Sequence, residues 1–165
     1  MNSIKTSESS AIWTGKKVGG SHTGNINLKD GNLTFNNGEL TSGKAIIDMT
    51  SITVIDLTGE TKEKLEGHLK SEDFFSVETN PEATLNFTEV DKKSDGVYDV
   101  TAAMTLKGIT NPVNFELTTT DDTATTTLVI DRSQFNVRYG SKSFFNDLGD
   151  KMIHDNFHVD VVLKF

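Results

Sequence analysis

The last ten residues, Asn156-Phe157-His158-Val159-Asp160-Val161-Val162-Leu163-Lys164-Phe165, decide the fold. Phe157, Val159, Val161, Leu163 and Phe165 share one face of an extended chain, and His158, Asp160, Val162 and Lys164 share the other. Successive side chains of a strand point to opposite faces. This period of two therefore predicts a half-buried strand over 156–165 that closes the sheet beside an N-terminal strand. The alternation recurs upstream. Tyr98, Val100, Ala102, Met104 and Leu106 oppose Val97, Asp99, Thr101, Ala103 and Thr105, and Val113, Phe115 and Leu117 oppose Asn114, Glu116 and Thr118. Leu85 with Phe87, and Leu128 with Ile130, are shorter runs of the same kind.

Working outward, about nine strands are predicted: 10–17, 21–29, 32–36, 40–54, 82–92, 97–107, 112–120, 123–131 and 156–165. Threonine occurs 22 times, and branched side chains suit a pleated surface. Asp30-Gly31, Asn37-Gly38 and Asp95-Gly96 reach positive φ at little cost and predict hairpin turns. Asn111-Pro112 and Asp121-Asp122 predict two more reversals. Pro81 and Pro112 are both placed in connections, where a missing N–H costs no ladder bond. The run 40–54 changes phase near Asp48, which predicts a bulge or bend.

One stretch has no such alternation. In 61–70 the residues are polar, with Leu65 and Leu69 four apart, and Thr61 supplies a cap. Ser71-Glu72-Asp73 offers a second cap ahead of Phe74-Phe75. So little helix cannot cover a large sheet. The sheet must bury its apolar face against itself. The expected fold is all-β: a closed antiparallel barrel of about eight strands, with a short helix in one long connection, formed by 1–165 as a single domain. Two long connections, 55–81 and 132–155, carry the aromatic pairs Phe74-Phe75 and Phe144-Phe145. Their length predicts lid-like roles at a barrel mouth.

Composition narrows the partners. The 165 residues include 24 acidic and 16 basic side chains, for a net charge of −8. Phosphates repel such a surface, so nucleic acid is not an expected partner. No apolar run approaches the ~18 residues of a membrane-spanning helix, so no integral membrane segment is expected. The chain has no cysteine, which excludes disulfides and thiolate chemistry. The opening residues lack the apolar stretch of a secretory signal. That reading places the protein in the cytoplasm if the chain is complete and in the periplasm if a signal was removed. Oligomeric state is open, a homodimer included.

Searches for reaction chemistry return little. Neither G-x-S-x-G nor G-x-x-x-x-G-K-[ST] occurs. His154 and His158 are four apart, which on a strand separates them by ~13 Å, too far to share a metal. His22 and His68 stand alone in sequence. Asp147 and Asp150 read as solvated loop carboxylates. The expectation is no catalytic residue, no metal and no cofactor. Only two arginines, Arg132 and Arg138, occur beside fourteen lysines, both within IDRSQFNVRYGSKSFF. Arginine suits fixed recognition, so each either pairs with a carboxylate such as Asp131 or Asp147 and pins the loop, or faces a ligand.

The stretches SAIWTGKKVGGSHTGNI (10–26), GHLKSEDFFSVETNPEATLNF (67–87), MTLKGITNPVNFEL (104–117) and the whole of 130–165 resemble the YceI-like bacterial proteins. Leu69, Asp73, Phe74, Phe75 and Pro81 match at the helix and its exit, and Gly108, Pro112 and Val113 match at a hairpin. The resemblance implies a lipocalin-like barrel that binds polyisoprenoids or other long amphipathic lipids in an elongated pore, without catalysis. The bound ligand would then be a polyisoprenoid, an isoprenoid quinone or a fatty-acid-like lipid. Its tail is expected among Trp13, Phe87, Met104, Phe115 and Leu117, with the Trp13 N–H available to a polar group. Phe74, Phe75, Phe144 and Phe145 would frame the mouth, and His22, Arg138 or Tyr139 would meet the polar end. Two other readings stay open: an enzyme acting on a hydrophobic substrate, with His22, His154 or a loop aspartate as acid–base, and a ligand-free structural or stress-related barrel with a filled interior.

Overall fold

The alternating segments do pair into one sheet, and the sheet closes. The computed structural model describes residues 2–139, 141 and 153–165. In chain order its elements are β1 (Asn2–Ser3), β2 (Ser10–Lys17), β3 (Gly20–Asn36), β4 (Glu39–Val54), α1 (Gly59–Lys70), β5 (Glu82–Ser94), β6 (Val97–Leu106), β7 (Ile109–Thr119), β8 (Thr123–Asp131) and β9 (Ile153–Lys164). Short 3-10 turns lie at Thr6–Glu8 and Arg132–Phe135. Around the ring the order is β3-β2-β9-β8-β7-β6-β5-β4, and β4 pairs back onto β3. Every pairing is antiparallel, giving a closed eight-stranded, lipocalin-like barrel, with the two-residue β1 added to β3. The C-terminal strand closes beside β2 as expected, with Val159 opposite Trp13 and His158 opposite Thr14.

Three local expectations are corrected. Asp30-Gly31 is not a turn: β3 runs unbroken through it. Gly31 is there for space, because a Cβ would sit 2.6 Å from Ile4 Cδ1 and 2.8 Å from the Lys44 carbonyl oxygen. Asn111-Pro112 is not a reversal either. The turn is Lys107-Gly108, where both residues have positive φ (53° and 76°), as a type I′ turn requires. Pro112 sits inside β7 opposite Ala103. Counting from the two-residue turn, that position directs its nitrogen away from β6 and toward β8. There it costs nothing, because the β7–β8 ladder has two rungs only, Thr118 opposite Thr125 and Thr119 opposite Ala124. Beyond them the seam is bridged by side chains: Thr126 Oγ1 donates to the Glu116 carbonyl (2.7 Å), and Asn111 Nδ2 donates to that of Gln134 (2.7 Å).

The third correction concerns helix ends. α1 starts after Thr58, whose side chain makes no capping bond, and Thr61 lies inside it. Ser71 ends this helix rather than capping another. Its hydroxyl donates to the His68 carbonyl at 2.6 Å, and the chain then turns back through Ser76 (φ 48°). The bulge near Asp48 is present. Register shifts between Asn25 and Asn27, and burial changes phase between Met49 and Ile52.

The barrel has unlike ends. α1 and its connection lie at the end where β4 stops and β5 begins, and β8 stops and β9 begins at that same end. The other end is filled. Tyr98 (2% exposed), Leu40 and Ala124 are buried there, and the rings of Phe35 and Phe165 pack at 5.3 Å.

Candidate functional site

Inward residues of all eight barrel strands, together with α1 and the chain that follows it, surround a cavity of about 360 Å³. That is within the range of small-molecule sites. Trp13, Phe87, Met104, Phe115 and Leu117 all line it, as do His22, Phe74, Phe75 and Tyr139. Alternation explains the wall: Leu85 and Phe87 of β5, Met104 and Leu106 of β6, and Phe115 and Leu117 of β7 repeat every second position. The rings of Phe87 and Phe115 meet edge to face at 5.7 Å across the middle of the wall. Leu128, Ile130, Phe157, Val159, Val161 and Leu163 continue it around β8 and β9. The filled end forms the floor, since Tyr98, Leu40 and Ala124 lie outside the lining.

Trp13 is 8% exposed, and its Nε1–H donates to the Thr53 carbonyl at 3.0 Å. The expected free donor is thus committed to the wall. Gly24 makes room for this indole. A Cβ there would lie 1.7 Å from the Thr53 oxygen and 2.7 Å from Trp13 Cε2.

At the other end the lining passes to the exposed residues Lys16, Lys17, Tyr139 and His154, which mark the mouth. His68 from α1 packs edge-on against Tyr139 (4.4 Å) and Phe74 (4.9 Å), and Phe75 against Phe157 (6.1 Å). His22 Nδ1 lies 2.9 Å from Asp56 Oδ2, and Asp56 Oδ1 accepts the Thr23 amide at 3.2 Å. Burial works against the Asp56 carboxylate, but the bonds from His22 and Thr23 outweigh it and hold its pKa below the ordinary value. No hydroxyl among the described residues bonds His22. No three His, Asp or Glu side chains among the described residues converge on a metal position.

The arginines part company. Arg138 is exposed, sits outside the lining, and its Nε donates to Asn136 Oδ1. Arg132 is 2% exposed and lines the cavity, a position the sequence reading did not assign to it. It pins its loop through three carbonyls: Nε to His154 O (3.1 Å), NH1 to Val137 O (2.8 Å) and NH2 to Ile153 O (3.1 Å). Asp131 instead accepts from Ser133 N and Oγ. Its place at the end of the Leu128, Ile130 alternation was the available signal. Lys107 ties the two connections together, donating to the carbonyls of Glu72 (3.2 Å) and Asn136 (3.1 Å). Phe144, Phe145, Asp147 and Asp150 lie outside the described residues.

Comparison with known proteins fits this geometry. A family model described as a YceI-like domain matches residues 3–165. A UPF0312 protein of Pectobacterium atrosepticum is 33% identical over 93 residues, which is 56% of this chain and 46% of that protein. A UPF0312 protein of Pseudomonas aeruginosa is 34% identical over the same length and shares. The matched region thus spans about half the length of these relatives. Among solved structures, BcnA of Burkholderia cenocepacia superposes with a TM-score of 0.80 at 21% identity, covering 98% of this chain and 99% of that one. A polyisoprenoid binding domain from Saccharophagus degradans superposes with a TM-score of 0.67 at 17% identity, covering 98% and 95%. At these identities the superpositions establish a shared fold.

Proposed function

The chain belongs to the YceI-like family, and on that premise we propose that it is a binding or carrier protein for a long amphipathic lipid of polyisoprenoid, isoprenoid quinone or fatty-acid type. The observation that carries the reading is the cavity: about 360 Å³, walled by alternate apolar side chains of the barrel, floored at one end and opening at the other. The solved relative from Saccharophagus degradans, a polyisoprenoid binding domain, supports the choice of ligand class. The tail occupies the space among Trp13, Phe87, Met104, Phe115 and Leu117. Phe74 and Phe75 frame the mouth, and His22 and Tyr139 lie near the polar end.

Burying about 400 Å² of apolar chain at about 25 cal/mol/Å² provides roughly 10 kcal/mol, part of which is lost in ordering a flexible tail. Micromolar or tighter binding follows without any chemical step. Native mass spectrometry of freshly purified protein, followed by solvent extraction, tests the reading. An adduct that releases a long-chain lipid is the expected result. Turnover of lipid esters or quinones that is lost in His22→Ala or His154→Ala would replace it with an enzyme. Failure to take up any long-chain lipid would mean a packed structural barrel.

A further inference from the structure

Most of the cavity wall is apolar, yet Arg132 is among the residues that line it. We propose that Arg132 seats an acidic headgroup, a carboxylate or a phosphate monoester, at the mouth end of the cavity. This deepens the lipid-binding reading and rests on it.

Arg132 is 2% exposed and lines the cavity. The guanidinium carries five N–H donors. Three bonds fix its plane, and all three go to neutral carbonyls, those of His154, Val137 and Ile153. They orient the charge without neutralising it. No carboxylate among the described residues stands in ion-pair contact with it. The face of Phe74, 5.5 Å from the guanidinium carbon, supplies a further soft contact.

A buried, ionised group with no counter-ion in contact among the described residues is held at a cost, and guanidinium does not shed its proton to escape it. Burial does push its pKa down, while the more distant Asp155 and Asp131 pull the other way. An anion entering the cavity would relieve that cost and use donors the carbonyls leave over. The planar fork is matched to carboxylate and phosphate oxygens.

Position along the barrel agrees. Arg132 follows directly on β8, whose Ile130 and Leu128 descend the wall below it. The nine residues of β8 span about 27 Å, or about 20 Å along the axis once strand tilt is allowed for. A head held at Arg132 therefore leaves the tail the full depth of the cavity. Arg138, exposed and outside the lining, has no such relation to it.

The test is isothermal titration at pH 8 of two matched pairs: hexadecanoate against hexadecan-1-ol, and geranylgeranyl phosphate against geranylgeraniol. Wild-type protein should bind each acid about ten- to a hundredfold more tightly than its alcohol. Whichever acid shows the larger preference identifies the head as carboxylate or phosphate. Arg132→Gln should bring both acid-to-alcohol preferences close to one. Arg132→Lys, which keeps the charge and loses the fork, should retain part of the preference. Circular dichroism and thermal melts identify any variant that has not folded, and the wild-type comparison needs no variant at all. Equal wild-type affinities for acid and alcohol would overturn the headgroup site while leaving the lipid-binding barrel standing. So would an acid preference that survives in folded Arg132→Gln. Failure of all four ligands to bind would remove the lipid reading itself, and the headgroup site with it.

Discussion

The hydroxyl of Tyr98 accepts the backbone N–H of Leu40 at 3.1 Å, wholly inside the filled end of the barrel. One phenol on β6 thus satisfies the first buried amide of β4, and its ring packs inside the filled end below the cavity. Tyr98→Phe keeps the ring and orphans the amide, which costs about 1–3 kcal/mol. For a chain of this length each kcal/mol lowers Tm by roughly 2–4 °C. Calorimetry should show that loss. Affinity for a long-chain ligand should stay within about twofold, since Tyr98 lies outside the cavity lining.

Gly24 faces a less forgiving neighbour. The atom 1.7 Å from its would-be Cβ is a backbone oxygen, which cannot rotate away. Gly24→Ala should destabilise by about 3 kcal/mol or more, at the severe end of overpacking. It should also break the Trp13–Thr53 hydrogen bond, so the emission of the single tryptophan should shift in whatever fraction still folds. Unchanged emission and stability would contradict the packing described.

Phe115 is 5% exposed, lines the cavity and meets Phe87. Phe115→Ala should weaken long-chain binding about tenfold or more, and the loss should be nearly independent of salt because only apolar contact is removed. Titrations in low and high salt check this. A strong salt dependence of the loss would point to a polar role at that position.

Asp56 sets an acid limit. Its folded pKa lies below the ordinary 3.8, so the folded state binds this proton less readily than the unfolded chain. The stabilisation is complete above about pH 5, begins to fade near the unfolded value and is lost as pH falls through the lower, folded pKa. Asp56→Asn should therefore cost stability at neutral pH and flatten the acid side of the stability curve. Urea melts across pH 2–6 for both proteins would reveal it. Parallel curves would show that the His22–Asp56 pair contributes nothing.

The barrel was legible because alternation is written residue by residue. Phe157 to Leu163 needed no partner information to be placed on one face, and the wall residues Phe87, Met104, Phe115 and Leu117 followed from the same period. What misled was punctuation. Asp30-Gly31 has the composition of a turn, but its glycine answers to Ile4, twenty-seven residues earlier, a contact no local pattern encodes. Pro112 has the composition of a break, but its missing N–H falls where β8 offers no ladder. Lys107-Gly108 went unread because lysine is an uncommon host for positive φ. The polar part of the site was harder still. Arg138 and Arg132 are alike in sequence and opposite in burial, and only the fold of the 132–139 turn separates them.

The two-rung seam between β7 and β8 makes this cylinder a split collar. Around most of its circumference the bore is fixed by main-chain ladders; along this line it is fixed by side chains, which part at less cost. The amides of Asn114 and Glu116 face the slit, so they should exchange hydrogen faster than those of Val113 and Phe115, which face β6. A guest of greater girth has one place where the wall can give, and the other seams keep their register while it does.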